Sequence, residues 1–262
     1  MSGSATTYDV LGVPIAVTTL PDATDSIEAW AGEPIGRFIC ARDVASLMAI
    51  IDDPVLSPLH GEAAMIVPDG MPLVFLGRLQ GHAVERTCGP DLLPFVCARD
   101  NGLRHYLYGG GEGTAALLAQ QLRQLNPAIS IVGVETPPFH PPTAAEQADT
   151  LRRIRDSGAD IVWVGLSSPK QDAWMRDNYR EIGRLLIGVG AAFDYHAGRK
   201  RRAPRWMQIN GLEWAYRLLN EPRRLWRRYL VLAPRFVWRV GLQALRSRGR
   251  PTSAQSLRGK GK

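Results

Sequence analysis

Six short apolar runs constrain this chain more than any other feature: RFICA (37–41), AAMIV (63–67), RHYLYG (104–109), ISIVGV (129–134), DIVWVGL (160–166) and LLIGVG (185–190). Each is nearly continuous in apolar residues instead of alternating with polar ones, the pattern of a strand covered on both faces. Segments of helical length lie between them, among them Thr114–Leu125 and Ala144–Ser157, the second preceded by Pro141, Pro142 and the candidate N-cap Thr143. Strands and helices in alternation specify an α/β fold, a Rossmann-like parallel sheet with helices on both faces. Ligands of such sheets bind beyond the carboxyl ends of the strands, so the residues after each run are where function is sought.

Those residues are PDG (68–70), GGGEGT (109–114), SSPKQD (167–172) and AAFDYHAG (191–198), and their shared placement points to one composite site. Asp69 leaves a buried run, a position that suits a general base taking a proton from a sugar hydroxyl. The bland alternative is that Asp-Gly is a common turn pair. Gly109, Gly110 and Gly111 can bring backbone N–H groups to a phosphate at the mouth of the helix starting near Thr114, but a plain tight turn reads as well. Thr114 stands where the last glycine of G-x-G-x-x-G would be, which argues against nicotinamide binding. Gln171 and Asp194 suit hydroxyl or uracil recognition; helix capping by Ser168 or Asp172 and a salt bridge for Asp194 are the structural alternatives.

No metal is expected: the histidines at 60, 82, 105, 140 and 196 are scattered, and no Asp-x-Asp occurs. A leaving diphosphate would then need Arg or Lys, with Arg86 and the carboxyl-terminal arginines at hand. The three cysteines (Cys40, Cys88, Cys97) lack C-x-x-C spacing and read as core residues of a reduced compartment. The first residues show no export signal, and no run of about 18 apolar residues suggests a spanning helix.

Charge divides the chain. Residues 199–262 hold 18 Lys/Arg against two acids, Glu213 and Glu221, and four of the seven tryptophans, which suits anionic headgroups, diphosphates or nucleic acid. Leu225, Tyr229, Leu232, Phe236 and Val240 step by three or four, with Arg224, Arg228, Arg235 and Arg239 on a neighbouring face and a kink expected near Pro234. The expected division is an α/β catalytic domain over 1–204, a basic amphipathic helical appendage over 205–248 that meets the membrane surface, and a disordered tail over 249–262.

The segments PDGMPLVFLGRLQG (68–81), ERTCGPDLL (85–93), YLYGGGEGTAALL (106–118), DIVWVGLSSPKQDAW (160–174), GVGAAFDYHAGRKRRAP (188–204) and GLEWAYRLLNEPRRLWRR (211–228) follow one another as in a known family. The chain resembles the WecG/TagA/CpsF glycosyltransferases, which build teichoic-acid linkage units, enterobacterial common antigen and exopolysaccharides. The resemblance implies an inverting, metal-independent transferase that uses a UDP-sugar and an undecaprenyl-diphosphate-linked acceptor, cytoplasmic and peripheral on the inner membrane face. It places the base on Asp69 and donor contacts on Arg86, Gln171 and Asp194. Diphosphate or membrane contacts of the appendage fall on Arg217, Arg223 and Arg224. Many relatives carry Thr-x-Asn where this chain reads Ala41-Arg42-Asp43, which sets Asp43 in the donor or acceptor pocket and leaves the donor sugar open. The family's Gln-Glu pair is Gln171-Asp172 here. Homo-oligomer formation is compatible with this reading, and no nucleic acid partner is expected. Two alternatives remain at this stage: a polyanion- or nucleic-acid-binding protein, and a nucleotide-sugar epimerase or dehydrogenase, which would need the missing dinucleotide fingerprint.

Overall fold

The computed structural model describes residues 6–248, without the side chains of Arg224, Arg228, Ser247 and Arg248. Residues 249–262, expected as a disordered tail, lie outside the described residues. The chain opens with an antiparallel hairpin, β1 (Thr7–Val10) and β2 (Val13–Ala16), which sequence reading did not anticipate. Leu11 and Gly12 turn it with positive φ at both positions, the backbone of a two-residue hairpin loop.

All six apolar runs are strands: β3 (Arg37–Arg42), β4 (Met65–Pro68), β5 (Arg104–Gly109), β6 (Ser130–Glu135), β7 (Ile161–Gly165) and β8 (Leu185–Gly188). They form one sheet in the order β4-β3-β8-β7-β5-β6, parallel at every pairing. Helix α1 (Leu20–Ala31) precedes β3, α2 (Val44–Ile51) and α3 (Leu59–Glu62) lead to β4, and α4 (Met71–Leu79) and α5 (Gly89–Cys97) lead to β5. Single helices α6 (Thr114–Leu125), α7 (Ala144–Asp156) and α8 (Lys170–Ile182) make the next three crossovers. The caps follow the sequence: Thr143 and Glu146 form the reciprocal capping box that starts α7.

Successive strand residues point to opposite faces, and both faces are covered. Ile39, Leu107, Trp163 and Ile187 pack under α1, α5 and α6. Phe38, Cys40, Val162, Val164 and Leu186 pack against Leu151 and Ile154 of α7 and Met175 and Tyr179 of α8. Burial on both sides is why the runs carry no alternation. All three cysteines are free and buried.

After β8 the chain is helical: α9 (Ala192–His196), α10 (Arg205–Ile209), α11 (Glu213–Asn220), α12 (Pro222–Arg227), a π-helical turn (Arg228–Leu232) and α13 (Ala233–Arg248). The stripe read from sequence faces inward. Phe236 joins Tyr8, Val10, Ile15, Leu47 and Met48 in a third apolar cluster, with Leu232 and Val240 partly buried beside it. Full burial of such a side chain stabilises by roughly 1.5–3 kcal/mol. Arg235 and Arg239 pair with Asp52 at 3.2 and 2.7 Å, and Leu11 donates its N–H to Gln243 Oε1 at 3.0 Å. Near Pro234, where a kink is expected, the helix runs through a π turn that ends at Leu232, and the missing N–H and the ring's clash with the preceding turn make a wider turn favourable there. The segment also carries exposed apolar residues, Trp226, Leu230, Val237, Trp238 and Leu245, interspersed with exposed arginines such as Arg227 and Arg246.

Candidate active site

A cavity of about 770 Å³ opens over the carboxyl ends of β4, β3, β8 and β7 and is roofed by the helical segment. It brings together Asp43, Asp69, Arg86, Gln171, Asp194 and Arg217, residues spread over much of the sequence. Strand order explains the meeting, because β4, β3, β8 and β7 are neighbours in the sheet though not in the chain.

Asp69 follows β4 directly. Its N–H donates to the Arg42 carbonyl at 2.8 Å, so the end of β3 fixes its backbone. Arg86 donates from Nε to the Asp69 carbonyl at 2.7 Å, and its Nη2 lies 3.6 Å from the Asp69 carboxylate. Asp69 lines the cavity, and burial pushes its carboxyl up to about 6; Arg86 and Arg217 oppose that rise, while Asp43 and Glu213 add to it. A carboxylate tuned toward neutrality, beside a pocket and held by an arginine, is suited to receive a proton. Asp43 caps α2 by accepting from the Ser46 N–H at 2.9 Å while its residue also lines the cavity, so its structural and pocket roles coexist.

Gln171 is buried and accepts the Gly190 N–H on Oε1 at 2.9 Å, which ties the head of α8 to the exit of β8. Beneath it, Arg42 and Asp172 form an ion pair of 2.7 Å with both side chains fully buried. Ser168 donates to the second Asp172 oxygen at 2.5 Å, and Arg42 Nε donates to His60 Nε2 at 3.3 Å. Burial and the nearby Arg42 charge lower the His60 imidazole to about 4, so it stays neutral and accepts. Neither Ser168 nor Asp172 caps α8, and Asp194 forms the salt bridge raised as an alternative, to Lys200 at 3.0 Å.

The residues of 8–250 match the model of the glycosyl transferase WecG/TagA/CpsF family. The chain belongs to that family. It is therefore a glycosyltransferase, and the polyanion-binding and epimerase or dehydrogenase alternatives fall away.

In this WecG/TagA/CpsF transferase the helical roof contributes more than sequence reading found. Glu213, at the start of α11, accepts from Arg86 Nη2 at 2.8 Å and lies 3.8 Å from Arg202 Nε. Its sequence signals were being one of two acids in a basic segment and lying within the GLEWAYRLLNEPRRLWRR segment, where no role was assigned to it. Arg202 pairs in turn with Asp91; burial raises that carboxyl, but the Arg202 hydrogen bonds and charge hold it below its usual range. Trp214 and Tyr229, also cavity residues, stack at a tilt with ring centres 5.7 Å apart. Arg217 enters the cavity from α11, and among the described residues its guanidinium makes no ion pair or hydrogen bond.

Four of the expected positions lie apart from the cavity lining. Gly109, Gly110 and Gly111 do not line the cavity. Gly109 runs against the Gly165 backbone, where a Cβ would approach to 2.6 Å, and a Cβ on Gly110 would meet the Thr114 side chain at 2.8 Å. Close packing of β5, β7 and α6 thus accounts for two of the three glycines without a ligand. Arg223 is exposed on α12 and outside the cavity lining, and the Arg224 side chain lies outside the described residues. Among the described residues no helix is long and apolar enough to cross a membrane.

Proposed function

We propose that this transferase moves a sugar from a UDP-sugar to an acceptor carried on undecaprenyl diphosphate, with inversion and without a metal ion, at the cytoplasmic face of the membrane. The observation that carries the reading is the Asp69 carboxyl, tuned to about 6 between Arg86 and the cavity, with Arg217 of the helical roof lining the same cavity. The acceptor hydroxyl gives its proton to Asp69 as its oxygen forms the new bond to the anomeric carbon. The bond from that carbon to the UDP oxygen breaks on the opposite face, so configuration inverts. Charge gathering on the departing diphosphate is met by Arg217 and Arg86, the part a divalent ion takes in other transferases. Gln171 and Asp43 line the pocket for the uracil, the sugar or the acceptor. The exposed Trp226, Leu230, Val237 and Trp238, flanked by arginines, favour docking on an anionic bilayer, where a lipid-linked acceptor resides.

The test is UDP release by the full chain in EDTA, over a panel of UDP-sugars with undecaprenyl-diphosphate-linked acceptors in anionic vesicles, with the product anomer read by NMR. Release that requires acceptor, survives EDTA and inverts the anomeric centre is expected. Release abolished by EDTA and restored by a divalent cation contradicts the metal-free reading, and a retained configuration contradicts single displacement.

A further inference from the structure

Glu213 is chemically out of place in a site that must gather negative charge. A diphosphate pocket gains nothing from an added carboxylate, yet this one is nearly buried, 13% exposed, and grips Arg86 at 2.8 Å. Its placement depends on the chain reversing at Gly211, whose φ of 70° favours glycine and whose backbone lies against Met71 of α4. Glu213 then enters as the first residue of α11 and is the helical segment's link to the arginine that holds Asp69. The chain of contacts runs from Asp69 through Arg86 to Glu213, with Arg202 on the far side.

We infer that Glu213 is a positioning residue that couples the seating of the carboxyl-terminal helices to the proton affinity of Asp69. By engaging Arg86 Nη2, Glu213 shares a cation that would otherwise turn wholly to Asp69, and its own charge adds to the effect. With α11 seated, burial and the Glu213 charge keep Asp69 a base of near-neutral strength against the opposing pull of Arg217 from the same helix; with α11 displaced, that cover, Glu213 and Arg217 leave together, Arg86 is free to close on Asp69, and the carboxylate becomes a weaker base. The roof therefore completes the base as well as covering the pocket. The inference rests on the reading of Asp69 as the base.

The groups facing Asp69 are Arg86 from the loop after α4, Asp43 from the start of α2, Cys88 from the head of α5, and Glu213 and Arg217 from α11. Those facing Glu213 are Arg86, Arg202, Tyr195 of α9 and Asp69 itself. Two variants of the full chain separate the coupling from a merely structural contact: Glu213→Gln, which removes the charge but keeps the shape, and Arg202→Gln, which strips Glu213 of its other cation. The readout is the titration midpoint of the Asp69 carboxyl carbon by NMR, assigned against Asp69→Asn, with thermal melts to confirm folding.

Glu213→Gln is expected to lower the midpoint by about one unit, and Arg202→Gln is expected to raise it. An unmoved midpoint in folded Glu213→Gln overturns the inference. If that variant does not fold, an unmoved or lowered midpoint in Arg202→Gln overturns it instead. The readout needs no turnover, so the two ideas fail separately. Undiminished activity in Asp69→Asn removes the base while the coupling stands, and an unmoved midpoint with Asp69 essential does the reverse.

Discussion

The strand-end floor of the cavity, with Asp43, Asp69 and Gln171, is fixed from below by buried groups, whereas the helical roof, with Glu213 and Arg217, rests on a few apolar anchors, on the nearly buried Arg86–Glu213 pair and, at its far end, on ion pairs open to water. Under the floor, Arg42 and Asp172 are wholly enclosed, and the Arg42 carbonyl holds the Asp69 amide. Over the roof, Leu225 and Phe236 are buried, but Arg235 and Arg239 keep a third or more of their side chains in water and Asp52 keeps 29%. Exposed pairs of that kind contribute roughly 0–1 kcal/mol each and weaken in salt. The difference suits a site whose base must not move while its cover meets a lipid-borne substrate.

Breaking the floor should produce the largest effect. Asp172→Leu strands the Arg42 charge, whose Nη2 already has no partner, and should cost about 3–5 kcal/mol in urea unfolding. The double variant Arg42→Leu/Asp172→Leu should recover most of that loss, and a single-variant loss below about 1 kcal/mol would refute a rigid floor. In the roof, Arg217→Gln should weaken UDP binding about ten- to hundredfold, the worth of hydrogen bonds to a charged group, without lowering the melting temperature. Equal UDP affinity by calorimetry would remove Arg217 from the donor site.

On the outer face, Trp226→Ser with Trp238→Ser should cut partition onto anionic vesicles by roughly tenfold or more with stability unchanged. Unaltered partition would move the membrane contact elsewhere. The smallest effect carries a sign. Because folding raises the Asp69 carboxyl from 3.8 to about 6, its ionisation opposes folding once pH exceeds that window. Asp69→Asn should therefore match wild type below about pH 4 and melt a few degrees higher above pH 6, a gap that scans across pH would show.

The sheet was legible because its strands are apolar on both faces, and the order of runs and helices left few topologies open. The hairpin was missed because Leu11-Gly12 lacks the Asn-Gly or Asp-Gly signature and Pro14 interrupts its second strand. Six site residues were found from their places at strand exits or from family resemblance, and the structure gathers them in one cavity. The GGG run shows the limit of that reasoning: glycine serves both phosphate cradles and backbone contacts, and sequence does not tell them apart. Glu213 was hidden for a longer-range reason, since its role appears only once the helical segment folds back over Arg86. Of the arginines read as a basic outer face, Arg235 and Arg239 turn to Asp52, and exposed tryptophans and aliphatic residues share the outer surface with exposed Arg223, Arg227 and Arg246.

The central claim is that Asp69 takes the acceptor's proton, and it is tested most directly by comparing wild type and Asp69→Asn in single-turnover UDP release, with UDP affinity measured on the same preparations. The account predicts a loss of about two to four powers of ten in rate with nearly unchanged UDP affinity, and a wild-type rate that falls as pH drops below about 6. Wild-type rates in Asp69→Asn would contradict it.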